Sequence, residues 1–228
     1  MIGLVLAAAG FGHRFGSEIP KQFQEFEGTP IYLHAFARIA LFTDFQVIVT
    51  NHDQADRVRS RIRANPDWID VQVVPGGETR QESVRLGVRT LPPQVTRVLV
   101  HDAARPFVSP ELVERVLGGL DDTQACIPAC PISETVKRIQ GRHIVRTLDR
   151  DRLVLAQTPQ AFQRDLLEEV LEWASQEGVE GTDEASLVEL MGKPVKWVDG
   201  DPANLKITWP GDLATADRRW QNRAVNQI

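Results

Sequence analysis

Apolar residues along this chain fall into two alternating rhythms. Short unbroken runs rich in β-branched residues, IGLVLA (2–7) and FQVIVT (45–50), read as strands buried on both faces. Between them, TPIYLHAFARIALF carries Ile31, Phe36 and Ile39 toward one helical face. Thr29 is the expected N-cap there, and Pro30 the expected first helical residue. A polar helix is predicted over 53–65, then a strand VQVV (71–74), a glycine turn, a helix over about 80–91 and a strand RVLVH (97–101). SPELVERVLGGL repeats a Ser-Pro helix start, and ACIPA is a further strand. Strands and helices alternating at this spacing predict an α/β fold, a three-layer α/β/α sandwich with a mainly parallel sheet.

Region 131–150 breaks the rhythm. ETVKRIQGRHIVRTL reads as two strands about a tight QGR turn, rich in β-branched and charged residues. Such a hairpin has little to bury inside a domain, so it is expected to project and pack on a second subunit. Beyond it come a helix near 163–176, a helix after Thr182, strands PVKWV and NLKIT, and a last helix from Pro210. No repeat, low-complexity tract or linker interrupts the pattern. The expectation is one domain over 1–228 with a protruding arm.

Composition narrows the partners. With 228 residues and a formal net charge of −5, the chain can bury a sizeable core and is not an overall nucleic-acid binder. The arginine-rich RVRSRIRAN (57–65) therefore reads as a solvated helix face, with Val58 and Ile62 turned inward. No apolar run is long enough for a membrane span, and no export signal is read at the N-terminus, so a cytoplasmic location is expected. Cys126 and Cys130 would share a strand face about 13 Å apart at ~3.3 Å per residue, too far to bridge, and read as small core residues. The five histidines show no ligand spacing.

The chemistry concentrates in LVLAAAGFGHRFGSEIPKQF (4–23), a strand running into a glycine-rich loop. Gly10, Gly12 and Gly16 miss the dinucleotide spacing by one residue, and no acid follows about 20 residues on. No Lys-Ser or Lys-Thr follows Gly16, so this is not a P-loop. Gly10 and Gly12 allow backbone N–H groups to approach a polyphosphate, while Arg14 and Lys21 add a planar fork and a mobile point charge. Two cations in one such loop suit a triphosphate.

This loop resembles the signature of sugar-phosphate nucleotidyltransferases. More narrowly, with VPGGETRQESV (74–84), LVHDAARPFV (99–108) and TDEASLVE (182–189), the chain is similar to the 2-C-methyl-D-erythritol 4-phosphate cytidylyltransferases of the non-mevalonate isoprenoid pathway. The likeness runs from the first strand to NLKIT.

It implies CTP and a polyol phosphate as substrates, Mg²⁺ bound mainly through the CTP phosphates, and a homodimer held by the arm. Arg14, Lys21, Arg150 and Lys206 become the catalytic cations. Ala8, Ala9, Gly10, Gly12, Gly77, Glu78, Ser83, Asp102 and Ala103 become the CTP-binding set. Arg105, Thr135, Thr158 and Thr182 are implied to contact the acceptor, with Arg150 reaching it across the dimer. Ribitol- or glycerol-phosphate cytidylyltransfer is the nearest alternative. A nicotinamide-dependent oxidoreductase and a silent nucleotide sensor lie further off.

Overall fold

The computed structural model describes residues 1–10 and 19–212. Strand β1 (Ile2–Ala8) leads to a hairpin of β2 (Glu25–Phe26) and β3 (Thr29–Pro30), then helix α1 (Ile31–Ala40). There follow β4 (Phe45–Thr50), α2 (Ala55–Arg63), β5 (Gln72–Pro75), α3 (Arg80–Thr90) and β6 (Arg97–Asp102). Next come α4 (Pro110–Gly118), β7 (Ala125–Pro131) and a second hairpin, β8 (Lys137–Gln140) with β9 (His143–Thr147). The described chain closes with β10 (Val154–Ala156), β11 (Gln160–Gln163), α5 (Arg164–Glu177), α6 (Glu184–Leu190) and β12 (Lys196–Asp199).

Among the described residues these strands form an eight-stranded sheet in the order β10-β7-β11-β6-β1-β4-β5, with β12 added on β7. Strands β5, β4, β1 and β6 run parallel, whereas β11 lies antiparallel between β6 and β7. Period-two alternation sends Leu4 and Leu6 to one face and Val5 to the other. The first face packs on α1, α2 and α4 through residues such as Phe36, Ile62 and Leu112. The second packs on α3, α5 and α6 through Val88, Leu167 and Val188. Three layers follow, as the alternation predicted.

The chain leaves β1 toward β4 and β5 on one side, then crosses back to place β6 on the other. Sheets of this kind bind ligands at such a reversal, beyond the carboxyl ends of the strands. Here that point is the crevice between Ala8 and Asp102.

Three local expectations are corrected. Thr29 and Pro30 are not the start of α1 but the return strand of the small hairpin, and α1 begins at Ile31. Asp183, not Thr182, caps α6: its carboxylate accepts from the Ser186 amide at 2.9 Å in a capping box. NLKIT is extended but forms no strand, because the chain turns at Asp201–Asn204 and only the Ile207 amide reaches the sheet side, at Ala104 O. Strand β11 (Gln160–Gln163) is an element for which the sequence carried no expectation. The expected helix from Pro210 lies mostly outside the described residues.

Candidate active site

At the switch point the ends of β1 and β6, the first turn of α3, the Lys21 turn and the Lys206 segment enclose a cleft of about 270 Å³. The structure brings the sequence-selected residues Ala9, Gly10, Lys21, Ser83, Asp102, Ala103 and Lys206 together in its lining. Gly12 and Arg14 lie outside the described residues.

Asp102 is the centre of charge. Its Oδ2 meets Lys206 Nζ at 2.7 Å and Arg105 Nε at 3.8 Å, and its Oδ1 meets Arg80 Nε at 3.2 Å. Burial alone would push this carboxyl up, but Arg80, Lys206 and Arg105 together hold it well below the usual carboxylate range. It is thus a fixed anion that spaces three cations. Although NLKIT is no strand, neighbouring side chains there point opposite ways: Ile207 is buried while Lys206 turns to the cleft.

The β5–α3 turn is shaped by close approach. A Cβ on Gly76 would fall 2.5 Å from Ser83 Oγ and 2.6 Å from Ala9 Cβ, so only glycine lets this turn lie against the loop. Ser83, nearly fully buried, accepts from the Gly77 amide at 3.2 Å and donates to Thr79 O at 2.8 Å. Glu78 is exposed, and its amide donates to Glu82.

Several residues that shape the site went unseen in the sequence. Gln22 is buried, and its Nε2 donates to both Ala8 O and Gly10 O at 2.7 Å, tying the loop's entry to its exit side. Thr208 lines the cleft beside Lys206. Arg80 spans from Asp102 to Glu184, donating to Glu184 Oε1 at 2.7 Å. Its Nη2 is buried without a partner among the described residues. Burial pushes the Glu184 carboxyl up against the pull of Arg80. Arg80 and Glu184 both lie inside motifs quoted above, but nothing in their spacing pairs residues 80 and 184.

Other predicted residues sit elsewhere. Arg105 is turned inward, donating to Asn204 O at 2.9 Å and to Ala156 O at 3.4 Å, so it fastens the loop after β6. Thr158 is buried; its Oγ accepts from the Asp102 amide at 3.1 Å and bonds His101 Nδ1 at 3.0 Å. His101 Nε2 meets Arg105 O at 3.1 Å, and desolvation lowers this imidazole to about 4, so it stays neutral. These three residues hold Asp102 in place from behind. Thr135, Arg150 and Thr182 are exposed and are not part of the cleft wall. Arg150 is anchored through Nη1 to Ser133 O at the base of the arm.

A family model for 2-C-methyl-D-erythritol 4-phosphate cytidylyltransferase matches residues 2–221. The chain belongs to this family. It is 39% identical to the enzyme of that name from Syntrophus aciditrophicus, covering 93% of each chain, and 39% identical to that from Streptomyces avermitilis, covering 97% and 92%. Among solved structures, that of the cytidylyltransferase from Thermus thermophilus superposes with a TM-score of 0.80 at 31% identity, covering 95% and 97%. The 4-diphosphocytidyl-2C-methyl-D-erythritol synthase from Anaerococcus prevotii gives 0.85 at 28%, covering 96% of each. The α/β nucleotidyltransferase architecture is common to them and this chain.

Proposed function

We propose that the chain transfers CMP from CTP to 2-C-methyl-D-erythritol 4-phosphate, giving 4-diphosphocytidyl-2-C-methyl-D-erythritol and pyrophosphate in isoprenoid biosynthesis. The observation that carries this reading beyond family membership is the switch-point cleft, where Arg80 and Lys206 are held on one fixed carboxylate and Lys21 lines the same space. An oxygen of the acceptor phosphate attacks the α-phosphorus of CTP, and the bond to the β-phosphate bridging oxygen breaks. That oxygen leaves with the pyrophosphate. The attacking phosphate is already ionised near neutral pH, so no base has to remove a proton. Positioning and charge neutralisation supply the rate.

Gly10 and Lys21, with Gly12 and Arg14, would hold the triphosphate. Gly76, Gly77 and Ser83 would close on the pyrimidine, Asp102 and Ala103 on the ribose. Lys206 would hold the acceptor phosphate in line. Among the described residues Asp102 is the one carboxylate in the cleft wall, and three cations already engage it. No cluster of His, Cys, Asp or Glu able to hold a metal occurs among the described residues, so these residues do not fit a protein-built metal site. Mg²⁺ would arrive on the CTP phosphates and supply charge neutralisation there.

Among the described residues the hairpin β8–β9 pairs only with itself and leaves Ile139, Ile144 and Val145 exposed, which supports a homodimer in which the arm covers a second copy. Arg150, Thr135 and the base of the arm would then reach the other copy's acceptor. The two free cysteines fit a reducing compartment and so a cytoplasmic location.

The test is pyrophosphate release with CTP and Mg²⁺, comparing methylerythritol 4-phosphate with ribitol 5-phosphate. Release with the first acceptor alone is expected. Release only with the second would replace the acceptor, and none with either would overturn the reading.

A further inference from the structure

A second cavity, of about 370 Å³, lies between α2 and the turn that carries Lys21. Its floor is apolar: Phe23, Pro30, Val58 and Ala64. Arg57 and Arg61, one helical turn apart, stand on one wall with side chains on the same face of α2. Neither has an ion-pair partner among the described residues, in contrast to Arg59, which donates to Asp56 and to Val73 O.

Tyr32 faces the two guanidiniums from α1. It is only 2% exposed, its ring packs edge-on against Phe23 at 5.5 Å, and its hydroxyl has no hydrogen-bond partner among the described residues. Burial pushes this phenol up to about 12, with Arg61 and Arg57 pulling the other way, so it remains a proton donor at neutral pH. Tyr32 lines the cavity, where its hydroxyl can donate to a ligand oxygen. Glu25 is the one acid among the described lining residues, against two arginines.

We propose that this cavity is a binding site for a small organic phosphate with an apolar body, and that its occupancy acts on Lys21. Two planar guanidiniums and a neutral phenol make a donor set suited to phosphate oxygens, and the apolar floor takes the rest of the molecule. The link to the catalytic cleft is short. Lys21 and Phe23 belong to one 3-10 turn, Lys21–Phe23, of which Lys21 and Gln22 line the cleft while Phe23 lines this cavity. A ligand pressing on Phe23 moves the same turn whose Gln22 clamps the glycine loop. This second half of the proposal rests on the transferase reading; the binding half does not.

Phenyl phosphate is the probe, titrated calorimetrically into the full chain without CTP. Wild type is expected to bind it, and Arg57→Gln/Arg61→Gln to bind about tenfold more weakly or worse, as for lost charge-assisted contacts. Both arginines are exposed, so the fold should survive the change. Tyr32→Phe is expected to weaken binding about threefold, one neutral hydrogen bond, and Glu25→Gln to tighten it. Inorganic phosphate should bind more weakly than phenyl phosphate. Equal affinity of wild type and the double variant, or no binding, overturns the site. Equal affinity for the two probes overturns the apolar body. With the site occupied, the KM for CTP should shift in wild type and not in the double variant; an unchanged KM in both overturns the link to Lys21 and leaves the binding result standing.

Discussion

Single side chains divide here into those that line the cleft and those that hold it from behind. Lys206 lines it: on the transferase reading, Lys206→Met should lower kcat by about 10²–10³, the cost of one preorganised donor, because Asp102 keeps Arg80 and Arg105 as partners and the site stays folded. Single-turnover pyrophosphate release measures this, and near-normal turnover would remove Lys206 from the chemistry. His101 holds. Neutral in the fold down to about pH 4, it binds a proton in the unfolded chain near its ordinary 6.5. Between those values the unfolded state carries more protons, so stability falls as pH drops, by about 2 kcal/mol from pH 7 to 5. Urea titrations of wild type and His101→Gln isolate this share as a difference in slope. Glu184, raised by burial, acts in the opposite sense in both proteins. An equal slope in the two would acquit His101.

At the scale of elements, α6 shows how a cap serves a site. Asp183 caps the helix and also accepts from Gln160 on β11 at 2.7 Å, while Gln160 Oε1 accepts from the Ala185 amide at 3.2 Å. The helix start is thereby fixed to the sheet, and Glu184 in its first turn meets Arg80. Asp183→Ala should therefore cost about 1–2 kcal/mol, read as a lowered Tm. Thr182→Ala should leave Tm unchanged and raise the KM for the acceptor instead. The reverse pattern would restore Thr182 as the cap. Along the chain the two are equivalent, since Thr and Asp are both good caps and stand side by side.

For the whole molecule, the hairpin is the part whose burial the single chain does not complete. Ile139 and Ile144 are register partners across β8 and β9, and both are largely exposed. Ile139→Lys/Ile144→Lys should yield a folded monomer by sedimentation, with transfer activity lowered because Arg150 no longer reaches a second cleft. A dimer that persists with full activity would place the interface elsewhere. Much of the molecule was readable along the chain. Local chemistry repeats in order, so β-branched runs, Ser109 as a cap and the helical stripes announced the layers, and the glycine loop singled out Gly10 and Lys21, which line the cleft. Three things were decided only in the fold. The strut from Glu184 through Arg80 to Asp102 joins residues far apart in the chain, and no periodicity encodes such a meeting. Arg105 and Thr158 are buried around Asp102, Arg105 bonding Asn204 O and Ala156 O and Thr158 accepting from the Asp102 amide, partners that no spacing along the chain announces. And Arg57 and Arg61, indistinguishable in sequence from any solvated helical face, gain a shared cavity only when α2 packs beside Tyr32 and the Lys21 turn. Sequence spacing determines which face of an element a side chain occupies; what that face meets depends on long-range packing.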